Sequence, residues 1–344
     1  MLLRNRLYLI VSLSALLLVL SCKTGPENKN NGTGEKPVKT IPAPAFNSDS
    51  AYYFIERQVA FGPRIPNTNA HRQAGNYFVA LMKQYGAEVT VQEFTATTYD
   101  QQKLSLRNII ASYYPERSKR ILLAAHWDTR PFSDKDNEKP RGYFDGANDG
   151  ASGVGVLLEI ARALHTAAPP SVGVDLILFD GEDWGFDQAT AETLYGKQVD
   201  YPLPKNLHSW WCLGSQYWSK NKHKPNYSAY FGILLDMVGG QNSVFVKEGY
   251  SMEYAPGIVN KVWSTAARLG YGNIFINKTE GSITDDHVFV NEFAKIPMIN
   301  IISYDPELGF FGDFHHTRKD NMDLISKEKL QAVGNTLLHV IYQE

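Results

Sequence analysis

Cysteine is nearly missing from this chain. There are two in 344 residues, and one of them, Cys22, closes an N-terminal segment laid out as an export signal. Cys212 is then left without a partner, which excludes an intramolecular disulfide from the mature chain and leaves stability to the core. A surplus of positive charge is missing too: 34 Lys+Arg stand against 36 Asp+Glu, a net charge of -2. No broad positive field gathers phosphates, so nucleic acid is not an expected partner. Long apolar runs are also wanting. The run from Leu7 to Leu20 is interrupted by Ser12 and Ser14 and falls short of the roughly 20 residues that span a bilayer comfortably. No repeat or low-complexity tract occurs from Phe46 to the end.

What is present is a composition 43% hydrophobic, 12% aromatic and 20% charged, that of a globular chain able to bury a large core. Arg4 and Arg6 ahead of the apolar run give residues 1–21 the form of a secretory signal peptide. Val19-Leu20-Ser21-Cys22 resembles the lipobox of bacterial lipoproteins, which implies a lipid on Cys22, a place in the periplasm or cell envelope, and membrane contact through that anchor alone. Residues 22–46, rich in Gly, Pro, Asn and Lys, read as a flexible tether, and 47–344 as one catalytic domain, expected to be a monomer.

Within that domain, Ser48-Asp49-Ser50 and Asn67 are candidate caps for two helices, and Gly86 stops the second. Strands are expected over Ala87–Phe94, Leu106–Tyr114 and Arg120–Ala125, the last ending at His126. Asp145-Gly-Ala-Asn-Asp149-Gly-Ala-Ser-Gly opens a helix carrying Val156, Leu157, Ile160 and Leu164 on one face. Val172–Phe179 reads as an uninterrupted apolar strand ending at Asp180-Gly-Glu182-Asp183; Ile233–Leu235 ends at Asp236, and Ile296–Ile302 supplies one more. The expected fold is α/β, a single domain with a central, mostly parallel mixed sheet flanked by helices. His126, Asp149, Glu182, Asp183 and Asp236 all fall at or just past the carboxyl ends of strands, the edge at which open α/β sheets bind ligands.

Asp149, Asp183 and His316 are of the types that hold zinc. Taken singly, each also suits a structural role: an Asx turn for Asp149, a helix cap for Asp183, a polar loop for His316. Together with their surroundings they form a pattern. His126-Trp-Asp128, the Asp149 loop, Asp180-Gly-Glu182-Asp183, Leu235-Asp236-Met-Val-Gly and His316-Thr-Arg-Lys-Asp320-Asn321 resemble, in order and spacing, the metal-site blocks of the co-catalytic zinc aminopeptidases and their glutaminyl-cyclase relatives. Thr284-Asp285-Asp286-His287, ahead of Ile296-Pro297, is similar to a block of the animal-type glutaminyl cyclases.

That resemblance implies a zinc-aminopeptidase-like fold and conversion of N-terminal Gln of peptides or proteins to pyroglutamate. It implies one zinc held by Asp149, Asp183 and His316, Glu182 as general acid/base, and Asp236 and Asp285 in its hydrogen-bond network. The chain departs from the pattern in three places. Asp183 stands where aminopeptidases usually have Glu. His315 stands where an aromatic residue commonly precedes the last ligand, leaving two adjacent histidines for one position. Trp184–Trp218 is an insertion-like stretch expected to form a lid or rim. His126 and Asp236 complete a ligand set for a second zinc, so a two-zinc aminopeptidase is the alternative, and a non-catalytic surface binding domain a third reading. Cys212 reads as a small buried hydrophobe, Arg130 and Arg318 as solvated surface charges, and Trp184, Trp210, Trp211, Phe310, Phe311 and Phe314 as rim or core aromatics.

Overall fold

The computed structural model describes residues 41–344, so the signal, the lipobox and most of the tether lie outside the described residues. Eight strands, β1 (Glu88–Thr97), β2 (Lys103–Tyr113), β3 (Arg120–His126), β4 (Gly173–Phe179), β5 (Phe231–Asp236), β6 (Val244–Glu248), β7 (Phe275–Glu280) and β8 (Met298–Tyr304), form one sheet in the order β1-β2-β4-β3-β5-β8-β6-β7. The four central strands, β4-β3-β5-β8, run parallel; β1-β2, β2-β4 and β6-β8 are antiparallel. The expected mixed sheet is present, with its parallel heart where the apolar runs placed it.

β3 carries the reason. Every residue of Arg120–His126 is buried, and the period of two sends Ile121, Leu123 and Ala125 into the larger core while Leu122 and Ala124 face a second one. On the larger side lie α1 (Ser48–Val59), α2 (Asn69–Gln84) and α3 (Ala151–Thr166). α4 (Gln188–Tyr195) and α5 (Leu213–Lys220) come from the Trp184–Trp218 stretch; after them follow α6 (Gly249–Tyr254), α7 (Pro256–Arg268), α8 (Asp286–Phe289) and α9 (Lys327–Tyr342). α7 and α9 join the larger core; Trp218 of α5 and Val290, just past α8, cover the opposite face.

α3 is buried on nearly all sides, between the sheet and α1, and its small residues permit this. A Cβ on Gly153 would lie 2.6 Å from the Leu235 carbonyl oxygen, and one on Gly155 2.6 Å from Ile55. The caps differ by a residue from those expected. Asn47 accepts from the Ser50 amide to start α1, and Thr68 rather than Asn67 caps α2, because Asn67 takes a left-handed turn at φ 72°. β4 is not purely apolar either. Asp175 sits in its middle, satisfied by two bonds from Arg120 (2.6 and 2.7 Å), by Ser112 Oγ (2.6 Å) and by Tyr227 OH (2.7 Å). Phe46, at the end of the tether reading, is buried with its ring over Gly334. Among the described residues no helix is long and apolar enough to cross a membrane.

Candidate functional site

The carboxyl ends of β4, β3 and β5 are neighbours, so Glu182, His126 and Asp236 meet there, and the turn into α3 brings Asp149 over them. That turn needs glycine at Gly150, whose φ is 88° and whose added Cβ would stand 2.6 Å from the Asp128 carbonyl oxygen. Two buried aspartates lock the loops. Asp320 accepts from the amides of Asn148 (2.6 Å) and Asp149 (3.0 Å), while Asp128 accepts from those of Glu182 (3.0 Å) and Asp183 (3.1 Å). Arg64, fully buried, donates to the carbonyls of Asp145 and Gly146 from the other side. Sequence reasoning gave these three no role, since their partners are backbone groups distant along the chain.

Asp149, Asp183 and His316 converge. His316 Nε2 is 3.1 Å from Asp183 Oδ1 and 3.6 Å from Asp149 Oδ2. Donors bound at about 2.0–2.2 Å around one tetrahedral cation stand roughly 3.3–3.6 Å apart, and the two distances from His316 Nε2 lie near that spacing. Asp183 Oδ1 is buried without a hydrogen-bond donor, as a metal-facing oxygen would be. His316 Nδ1 lies 3.2 Å from Asp134 Oδ1, an ion-pair distance without hydrogen-bond alignment, so Asp134 is the carboxylate placed to orient this ring. His315 has its Nε2 4.0 Å from Asp149 and its Nδ1 accepting from Lys135 at 2.6 Å; it offers an atom within 4.8 Å of donors on Asp149 and His316, and of the two histidines His316 is the nearer to Asp149. The other oxygen of Asp149 is 3.1 Å from His126 Nε2, which lies 3.2 Å from Asp236 Oδ1. A second donor set is thus formed, sharing Asp149 with the first.

Arg130 is not the surface charge its sequence position suggested. It is fully buried, clamps Asp134 with two bonds (2.9 and 2.7 Å), donates to the carbonyls of Asp183 and Gly185, and lies 4.6 Å over the Trp211 ring. Arg318 does lie at the surface, paired with Asp136 and Glu138.

Glu182 sits beside the donor atoms. Burial raises its proton affinity well above that of an ordinary glutamate; Asp183, Asp285 and Asp286 add to this and His126 opposes it. Asp236 is pushed up to about 7 by burial, with Asp285 and Asp149 adding and His126 opposing. Asp285 is held by Asn300 Nδ2 at 2.6 Å, and atoms of Glu182, Cys212 and Asp285 lie within 4.8 Å of one another. Asn300 and Cys212 carried no signal of this in the sequence. Three non-glycine residues of the site take left-handed backbone, Cys212 (φ 59°), Met237 (φ 52°) and His316 (φ 56°), a conformation retained where the surroundings impose it.

Asp149, Glu182, Asp183, Asp236, Asp285 and His316 line a cleft of about 760 Å³ whose walls include Phe186, Trp211, Ile283, Ile302, Phe310 and Phe311. Of the expected rim aromatics, Trp211, Phe310 and Phe311 line the cleft. Trp210 and Phe314 are buried in separate side clusters, and Trp184 packs partly buried against that of Trp210. The Trp184–Trp218 stretch thus contributes rim through Phe186 and Trp211, and core through α5.

Comparison with known proteins finds relatives along most of the chain. The glutaminyl cyclase of Bacteroides thetaiotaomicron, solved bound to N-acetylhistamine, is 50% identical over 88% of this chain and 100% of its own, with a TM-score of 0.82. A Zn-dependent exopeptidase from Parabacteroides distasonis is 51% identical over 88% of this chain and 100% of its own, with a TM-score of 0.81. The aminopeptidase YwaD of Bacillus subtilis is 28% identical over 291 residues, 82% of this chain; the chain spans about half, 54%, of that relative's length. Residues 108–341 match the profile of peptidase family M28, and the chain belongs to that family.

Proposed function

We propose that this protein is a zinc-dependent glutaminyl-peptide cyclotransferase that converts N-terminal Gln of peptides and proteins to pyroglutamate and ammonia. The observation that carries the reading is Glu182, a carboxylate of raised proton affinity whose side chain is 13% exposed, next in the chain to Asp183 and with an atom within 4.8 Å of Asp285, on the lining of the cleft. The half-identity to a solved cyclase along its full length supports it.

Asp149, Asp183 and His316 would hold the zinc, which would supply a Lewis acid for the substrate's γ-carbonyl. The reacting amine and amide belong to one residue, so the cleft acts largely by holding a folded-back conformer. As the α-nitrogen bonds to the γ-carbon, Glu182 takes one amine proton; as the bond to the amide nitrogen breaks, Glu182 returns that proton and ammonia departs. Burial and the neighbouring carboxylates give Glu182 the basicity for both transfers, with Asp285, fixed by Asn300, and Asp236 setting its surroundings. Phe310, Phe311 and Trp211 give the cleft apolar walls beside these groups.

His126 and Asp236 favour one alternative, a two-zinc aminopeptidase, because their donor atoms have metal-ligand spacing. Glu182→Gln is expected to lose at least a hundredfold in kcat while binding zinc normally, and Asp183→Ala to lose the metal. A Glu182→Gln enzyme with full turnover would remove Glu182 from the reaction. Export and lipidation at Cys22 are proposed on residues 1–22; Cys22→Ser should move the protein from the membrane fraction to the soluble one.

A further inference from the structure

The thiol of Cys212 touches the carboxylate on which the proposed reaction depends. Cys212 is fully buried, and its Sγ donates to Glu182 Oε1 at 3.3 Å. Two backbone bonds bring the residues together: the Cys212 amide donates to the Glu182 carbonyl (2.9 Å), and the Leu213 amide to the Gly181 carbonyl (3.1 Å). These fasten the start of α5 to the turn after β4. At that junction Cys212 has φ 59° and ψ 39°, where a Cβ is unfavourable and glycine or asparagine would relax the chain. A side chain is kept there at conformational cost, and that side chain reaches Glu182.

We propose that Cys212 is a positioning residue for Glu182, its thiol holding the carboxylate in the orientation from which it exchanges the proton of cyclisation. This rests on the reading of Glu182 given above. A glutamate side chain has three rotatable bonds, and the backbone clamp fixes none of them. The thiol restrains one oxygen, leaving the other 3.8 Å from His126 Nδ1. Cys212 does not line the cleft, so it acts through Glu182 and not on substrate. A thiol suits the task because it is a weak donor, orienting the carboxylate while withdrawing little of its basicity. Burial, with the charges of Glu182, Asp286 and Asp285, keeps the thiol protonated and hence a donor.

The test uses the full chain carrying Cys22→Ser, in which Cys212 is the only thiol. Its S–H stretching band, in an infrared window clear of other protein absorption, should lie at the lowered frequency of a thiol donating to a carboxylate, and should move to the free-thiol position in Glu182→Ala. Cys212→Ala should lower kcat about five- to tenfold, the size of one lost hydrogen bond, with KM and zinc content unchanged and the melting temperature lowered by only a few degrees, about 2–4 °C. Cys212→Ser, which keeps a donor, should recover kcat to within about threefold of the parent. An Ala variant with parental kcat, a Ser variant as impaired as Ala, or an S–H band indifferent to Glu182 would each overturn the proposal. Should Glu182→Gln turn over normally while the S–H band still reports the contact, the fault lies in the reading of Glu182, and the role of Cys212 falls with it.

Discussion

Asp134 bears on both metal binding and stability, and its replacement by Asn can be worked through in numbers. The carboxylate takes two bonds from Arg130 (2.9 and 2.7 Å) and one from Thr190 Oγ1 (3.0 Å), and faces His316 Nδ1 at 3.2 Å. Burial opposes its ionisation, but His316 and Arg130 outweigh this and hold the carboxyl well below the usual range. Asp134→Asn keeps the shape, removes the charge and turns an N–H group toward donors. Breaking a buried ion pair in this way costs about 3–5 kcal/mol. The lower end, about 3 kcal/mol, is expected because Arg130 keeps the carbonyls of Asp183 and Gly185 and has Asp183 Oδ1 at 3.7 Å. Loss of the partner that orients His316 should also weaken zinc about 10–100-fold. Urea unfolding of the metal-free protein measures the first effect and chelator competition the second. A variant within about 0.5 kcal/mol of the parent, the scale of a neutral surface change, and with parental zinc affinity would refute the reasoning.

Gly153→Ala should destabilise by about 1–3 kcal/mol and lower kcat, because the new Cβ meets the Leu235 carbonyl at 2.6 Å and Ala125 Cβ at 2.9 Å and pushes α3, with Asp149, off β5. Gly257→Ala on α7, where a Cβ meets nothing within 4 Å, is the control and should stabilise by about 0.5–1 kcal/mol in thermal unfolding. Glu248 accepts from Tyr250 N, Ser251 N and Oγ, Ile283 N and His287 Nε2, at 2.7–3.1 Å, and so anchors the segment leading to Asp285. Burial opposes its ionisation, yet His287 and these donors lower its pKa to about 2. The folded value lies below that of an unfolded glutamate, so its contribution of about 3 kcal/mol is complete above about pH 4.5 and lost as pH falls toward 2. Glu248→Gln should flatten that acid limb in urea midpoints measured against pH; an unchanged limb would contradict the assignment.

The central strands were legible because burial on both faces leaves β3 and β5 with unbroken apolar sequences, each closed by a charged residue at the ligand-binding edge. β6 and β7 went unread. Val244–Glu248 and Phe275–Glu280 are short and half polar, and are strands through their pairing with β8 and with each other. Asp149, Asp183 and His316 could be nominated from the sequence because donor type and order carry information. Their supports could not. Asp128 and Asp320 hold backbone amides 54 and 172 residues away, and a backbone amide leaves no mark in sequence. Arg130 looked like a surface charge because composition does not reveal that Asp134 is buried with it. For Cys212 the burial was readable and the bond to Glu182 was not, since it depends on a left-handed turn within the long insertion-like stretch.

The central claim is cyclisation, and the most direct measurement is the mass of a peptide beginning with Gln after incubation with the purified protein, with zinc counted on the same sample. The account predicts a peptide otherwise intact but lighter by one ammonia, with about one zinc per chain. Release of the first residue, with about two zincs per chain, would contradict it and make His126 and Asp236 ligands of a metallo-aminopeptidase.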